Sequence, residues 1–320
     1  LIITILLPWQ REKKTVITPE LLKEWVTFLS SDDMKGRNNG SPQMAAAAAW
    51  IASQFREDGM GQFSSAPDYI QKYVYKSRSG EISERNVIGY IEGSDPALKS
   101  QFIVVSAHFD HIGMNPGGAD SVFNGADDNA AGTATLLGIA KYIKDSGLKQ
   151  GRSLIFVAFS GEEHGVKGSE YFISHCPVPV RSIYADINFE MTGHSELLGK
   201  NKYYMTGCPY SDLDDIIKEY EKGTGFRLVD TISITNSLFL MSDNISFSAI
   251  SSKNGRHTGI PSGTFATSTI PSYLHRASDE ADLFDFGNMS SLVDHFSDIV
   301  LKLSWEKRPV SWTSPDYVRP

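Results

Sequence analysis

Apolar positions along the chain keep two rhythms, one of three to four residues and one that alternates or runs unbroken. From Thr18 onward, Leu21, Leu22, Trp25, Phe28 and Leu29 mark one helix face, with Thr18 suited to the N-cap and Pro19 to the first turn. Ser41-Pro42 repeats that opening before a second helix, Gln43 to Asp58, which Gly59 ends. Between the two, Asp33 to Gly40 reads as a polar surface loop carrying Arg37. Tyr69 to Lys76 and Asn86 to Glu92 read as strands, with turn residues at Ser77 to Gly80. Phe102 to Val105, Leu154 to Phe159, Ile183 to Phe189 and Tyr203 to Thr206 follow as further strands. The second of these is continuously apolar, the mark of a strand covered on both faces. Helical spacing returns at Asn129 to Lys144, Ser169 to Ser174, Ser211 to Lys222 and Met289 to Leu303. Gly132 inside the first of these predicts close backbone packing. Phe226 to Pro271 has no regular period.

Strands alternating with helices predict an α/β fold, a mostly parallel mixed β-sheet sandwiched between helices. Residues 17–320 are expected to form one domain behind an arm or signal remnant at 1–16. In such sheets ligands bind beyond the carboxyl ends of the strands. Three apolar strands here end in chemistry: in His108, Asp110 and His111, in Glu162-Glu163-His164, and in Glu190. A Gly- and Asn-rich loop adds Asp127 and Asp128 just before a helix.

Composition narrows the picture without changing it. The chain has 320 residues, 41% hydrophobic and 21% charged, enough to bury a sizeable core. A net charge of −8 with no basic cluster argues against nucleic acid or an anionic membrane as partner. Cys176 and Cys208 make neither a disulfide framework nor a Cys-x-x-Cys motif. Leu1 to Leu7 is apolar except for Thr4 and too short to span a bilayer, and no other segment suits an integral membrane span. It reads either as the end of a signal segment, which favours an extracytoplasmic location, or as a terminal arm packed on the body.

The strand-end residues are poor core material and good metal ligands. Zinc takes imidazole and carboxylate donors, and two ions roughly 3.5–4 Å apart need a carboxylate between them. His108, Asp127, Glu163, Glu190 and one distant His supply such a set. Asp110, two residues from His108, is placed to orient its ring. Glu162, beside a ligand and not itself bound, is free to take a proton. Singly, each has a plainer role: a hydrogen-bonded loop His, an N-cap at Asp127-Asp128, a solvated turn at Glu162-Glu163. Their convergence on one sheet edge favours the metal reading.

Five stretches, SAHFDHIG, NGADDNAAGTA, FVAFSGEEHGVKGSEYF, INFEMTG and YLHRASDEAD, together resemble the co-catalytic two-zinc exopeptidases of the bacterial leucyl aminopeptidase type. Glutamate carboxypeptidase and glutaminyl cyclase are relatives of that family. The resemblance implies two zinc ions, with Asp127 as the bridging carboxylate, His108 and Glu190 on one ion, and Glu163 and His275 on the other. It implies Glu162 as general base, Asp110 as the residue that orients His108, a cis Asp127–Asp128 bond and a peptide substrate cleaved at its free N-terminus. His111 and His164 adjoin the motifs and line the site, while His175, His194, His257 and His295 are given structural roles. The family usually has Asp where Glu190 stands, so the His108–Glu190 site is expected to bind its ion more weakly.

Three rival readings have their own marks. A glutaminyl cyclase would use one zinc on Asp127, Glu163 and His275. A carboxypeptidase for acidic tails would need basic pocket residues, for which Arg256 and Arg276 are the candidates. A non-catalytic homologue would have lost ligands. Side-chain selectivity is expected from Ser237 to Ser248 and Asn254 to Ser262. Asn39, Asn244 and Asn288 open Asn-x-Ser sequons, each compatible with export.

Overall fold

The computed structural model describes residues 17–313 except 79, 116, 118, 119, 233 and 252–258. The arm expected at residues 1–16 lies outside them, as do Arg256 and His257. Helix α1 (Pro19–Leu29) opens with the Thr18 side chain accepting from the Leu21 amide at 3.2 Å, and α2 (Pro42–Glu57) with Ser41 accepting from Met44 at 3.1 Å. Caps of this kind contribute about 1 kcal/mol each. A hairpin follows, β1 (Ile70–Ser77) and β2 (Gly80–Ile91), then β3 (Phe102–His108), α3 (Gly132–Ser146), β4 (Ser153–Phe159), α4 (Lys167–Ser174) and β5 (Ile183–Phe189). The remainder is β6 (Lys202–Met205), α5 (Leu213–Glu221), β7 (Arg227–Leu228), the short helices α6 (Thr235–Leu238) and α7 (Asn244–Ser248), β8 (Ser262–Ala266) and α8 (Phe286–Trp305).

The eight strands form one sheet in the order β1-β2-β4-β3-β5-β8-β6-β7. Its centre, β4-β3-β5-β8, is parallel, and the β2–β4 and β6–β8 pairs that flank it are antiparallel. Alternation along the central strands divides the core. Ile103, Val105, Leu154, Phe156, Ala185 and Ile187 pack with α1, α2, α3 and α8, while Val104, Ile155, Val157 and Phe159 pack with α4 and α7. The mixed α/β sandwich expected from the sequence is therefore present.

Two departures have clear causes. Strand β8 lies in the stretch that carries no period, yet it pairs in parallel with β5. Its sequence, SGTFA, has no apolar run because Thr264 faces a buried polar layer, donating to Asn244 Oδ1 and accepting from the Asn188 amide, both at 2.9 Å. Arg37, expected at the surface, is fully buried. Its guanidinium donates to the carbonyls of Leu29, Phe109, Asn124 and Gly125. It thereby ties α1 to the two loops that carry His111 and Asp128. Burial lowers its pKa to about 10, against the attraction of Asp279, Asp128, Asp110 and Glu163, so it remains a cation at neutral pH.

Cys176 and Cys208 are unpaired. The three sequon asparagines are buried, Asn39 donating to Asp110, Asn244 to the Phe239 carbonyl, and Asn288 accepting from the Asn201 amide. No described helix is long and apolar enough to cross a membrane.

Candidate metal centre

The carboxyl ends of β3, β4 and β5 lie side by side, with His108 opposite Phe159 and Ser106 opposite Asn188. The start of α3 is bound to the ends of β3 and β5. Thr133 donates to the His108 carbonyl at 2.8 Å, and Asn129 donates to Phe189 at 3.0 Å while accepting from Met191 at 3.2 Å. Gly132 makes the expected close approach, since a Cβ there would sit 2.4 Å from the Phe189 carbonyl oxygen. These contacts bring the loop before α3 over the strand ends.

Two groups of donor atoms result, His108, Asp128 and Glu190 in one and His111, Asp128, Glu163 and His275 in the other. His108 Nε2 lies 3.4 Å from Asp128 Oδ1 and 3.3 Å from Glu190 Oε1. On the other side of the same carboxylate, Asp128 Oδ2 lies 3.1 Å from His275 Nε2, which is also 3.1 Å from Glu163 Oε2. His111 Nδ1 is 2.9 Å from Glu163 Oε1. Three carboxylates and three imidazoles converge within bonding reach of common points, a donor set that suits zinc.

The position between the two groups is held by Asp128, not Asp127. Asp127 is buried and turned away, accepting from the Gly193 amide at 3.0 Å and the Tyr273 hydroxyl at 2.8 Å. Asp279 decides the orientation by accepting the Asp127 amide on one oxygen, at 2.8 Å, and the Asp128 amide on the other, at 3.1 Å. The cis bond likewise joins Asp128 to Asn129, one residue later than expected. Asp127 instead links the stretch after Glu190 to the loop before His275.

Asp110 lies beside His108 as expected, although the ring Nδ1 is nearer its backbone carbonyl, at 3.3 Å, than its carboxylate, at 3.7 Å. That carboxylate accepts from Asn39 at 2.6 Å and from the amides of Glu162 and Glu163, both at 3.2 Å. Burial alone would raise its pKa, but His108 and these donors hold it below the ordinary range. It fixes His108 and the turn that carries two acids at once. Burial opposes ionisation of Glu163 as well, yet hydrogen bonds from His111 and His275 bring it down to about 2. Burial pushes Glu162 well up, opposed by His108 and reinforced by Glu190, Asp243 and Glu163. Glu162 belongs to neither donor group.

The centre opens into a cavity of about 420 Å³ whose lining includes Met191, Leu238, Met241, Ile270 and Leu274 together with Glu162, Glu163 and Glu190. Leu238 and Met241 fall in one stretch expected to form the wall, whereas Ile270 and Leu274 come from the approach to His275. No Lys or Arg lines it among the described residues, and Arg276 is exposed elsewhere. His164 turns to the Tyr75 hydroxyl instead.

The profile described as peptidase family M28 matches residues 86–303. The alkaline phosphatase isozyme conversion protein of Escherichia coli is 34% identical over 146 residues, covering 42% of this chain and 40% of its own length. A probable leucine aminopeptidase of Arthroderma otae is 31% identical over 158 residues, 48% of this chain and 40% of its own length. The match thus spans about two fifths of either relative. Among solved structures, a zinc aminopeptidase from Bacillus subtilis superimposes with TM-score 0.66 at 15% identity, covering 91% of this chain and 96% of its own. A glutaminyl cyclase of Porphyromonas gingivalis gives 0.67 at 17%, with 91% and 100% covered. Identities this low establish the fold shared with them.

Proposed function

Because the chain belongs to peptidase family M28, we propose that it is a two-zinc aminopeptidase that removes apolar N-terminal residues from peptides. The observation that carries this reading is one carboxylate, Asp128, presenting an oxygen to each of two donor groups beside an uncommitted Glu162. Bound there, zinc supplies Lewis acidity and a more acidic water. Asp128 would offer one oxygen to each ion, and Asp110 keeps His108 and the Glu162–Glu163 turn in place. Glu162 takes the proton given up by the attacking water and returns it to the leaving amine.

The cavity supports the choice of peptide end. Among the described residues no Lys or Arg lines it to pair with a terminal carboxylate, and Met191, Leu238, Met241, Ile270 and Leu274 in its walls favour an apolar side chain. The cyclase reading needs only the Glu163–His275 side, whereas His108 and Glu190 are also brought together here. The test is hydrolysis of leucyl, glutamyl and N-acetyl-leucyl amides by zinc-loaded protein, alongside glutaminyl peptide cyclisation. Cleavage of the leucyl substrate alone is expected. Cyclisation without hydrolysis, or cleavage of the blocked amide, would overturn the assignment.

A further inference from the structure

His111 was expected to line the site, and it does more than that. Its side chain is fully buried, and its Nδ1 lies 2.9 Å from Glu163 Oε1 and 3.7 Å from Asp128 Oδ2. The neighbouring His275 Nε2 is 3.1 Å from oxygens of both acids. Zinc bonds of about 2.0–2.1 Å in a tetrahedron place ligand atoms about 3.3–3.4 Å apart. The four separations, which reach both Glu163 oxygens and a single Asp128 oxygen, fall on both sides of that edge length. The ring is held in place independently of these acids. Its backbone amide donates to the Arg37 carbonyl at 3.3 Å, and the ring rests on Gly125, where a Cβ would come within 2.5 Å of Cγ. Nε2 is buried and has no partner among the described residues, so Nδ1 is the atom through which the ring engages its surroundings.

We propose that His111, through Nδ1, is a fourth protein ligand of the ion held by Asp128, Glu163 and His275. The proposal rests on the zinc reading above and extends it. Four protein donors make the closed pattern of structural zinc sites, while three leave a position open, as catalytic sites do. The two sides of Asp128 then divide the work. The His111–His275 side holds its ion tightly, and the His108–Glu190 side keeps the open position. The plainer role for His111 is an outer one, its Nδ1–H donating to Glu163 without touching the ion.

Zinc-edge X-ray absorption on the full chain, with metal counting, separates these. At one equivalent of zinc, two imidazoles per ion are expected, falling to one in His111→Ala. At two equivalents, three imidazoles shared by two ions should become two. The variant's affinity for its tighter ion should fall by more than about 100-fold, beyond the 10- to 100-fold that loss of an outer partner costs. His111→Gln, closer in size, should show the same loss of one imidazole with unfolding temperature preserved. A zinc-loaded wild type with one imidazole per ion at both loadings would overturn the proposal and leave the zinc enzyme intact. Failure to retain zinc at all would instead overturn the metal reading beneath it.

Discussion

The His108 group and the His111–His275 group share Asp128, but they are built from different parts of the fold. His108 and Glu190 come from the ends of β3 and β5, neighbours in the parallel sheet, so strand pairing sets the distance between them. Glu163 follows β4 on a turn, while His111 and His275 come from loops. His275 has a left-handed backbone, φ 57°, and its side chain is 47% exposed, against 0% for His108. On the sheet-built side strand pairing therefore preorganises two of the three donors, Asp128 being shared, and the loop-built side collects four donors but depends on long-range anchors. Those anchors are Arg37, Asp127 and Asp279. Regular structure fixes few donors well, and added donors have to be recruited by tertiary contacts.

The sharpest way to test the division is to remove the acid that belongs to neither side. Glu162→Gln should lower kcat by about 10²–10⁴-fold, the scale of lost proton transfer, with zinc content unchanged. Loss of zinc in this variant would place Glu162 among the ligands and blur the two groups.

Next come the adjacent aspartates. Asp128→Asn should weaken both ions by at least about 100-fold, since each group loses charge from its shared donor. Asp127→Asn should cost about 10-fold through looser Gly193 and Tyr273 contacts, the lower end for outer-shell partners. Metal titration of the pair checks this, and equal losses would erase the distinction between bridge and anchor.

Chelation compares the two sides directly. A mild chelator should strip the His108–Glu190 ion first, leaving one zinc per chain on the His111–His275 side in crystals of the treated protein. Charge argues the same way, because removing one dication relieves repulsion and frees Asp128 for the other. Simultaneous loss, or emptying of the His111–His275 side first, would break the comparison.

The smallest change is Glu190→Asp. Shortening this carboxylate by one methylene should narrow the affinity gap between the two ions by up to about tenfold, or about 1.4 kcal/mol. A wider gap in stepwise zinc titration would show that Glu190, as placed by β5, already suits its ion.

Most of the frame could be read before any coordinates. Periodicity located α1, α2, α3, α8, β3, β4 and β5 within a few residues, because each buries a continuous apolar face that its local sequence must encode. Three strands ending in His or Glu placed the site at the sheet edge. His108, Glu163, Glu190 and His275 all lie there, with Glu162 and Asp110 beside them.

The remainder depended on contacts between residues far apart in the chain. Asp127 and Asp128 are identical in type and adjacent, so nothing local tells bridge from anchor; Asp279, about 150 residues away, does so through two hydrogen bonds. His111 could be placed near the site by its motif, but its distances to Glu163 and Asp128 arise only when three loops meet. Arg37 has the local look of a surface residue, and four carbonyls from three segments make its burial possible. Strand β8 lacks an apolar signal because its partners are polar groups on β5 and α7. Hydrophobic burial leaves a periodic trace in sequence, whereas the orientation of one polar side chain is set by a few directional bonds whose other ends lie far away in the chain.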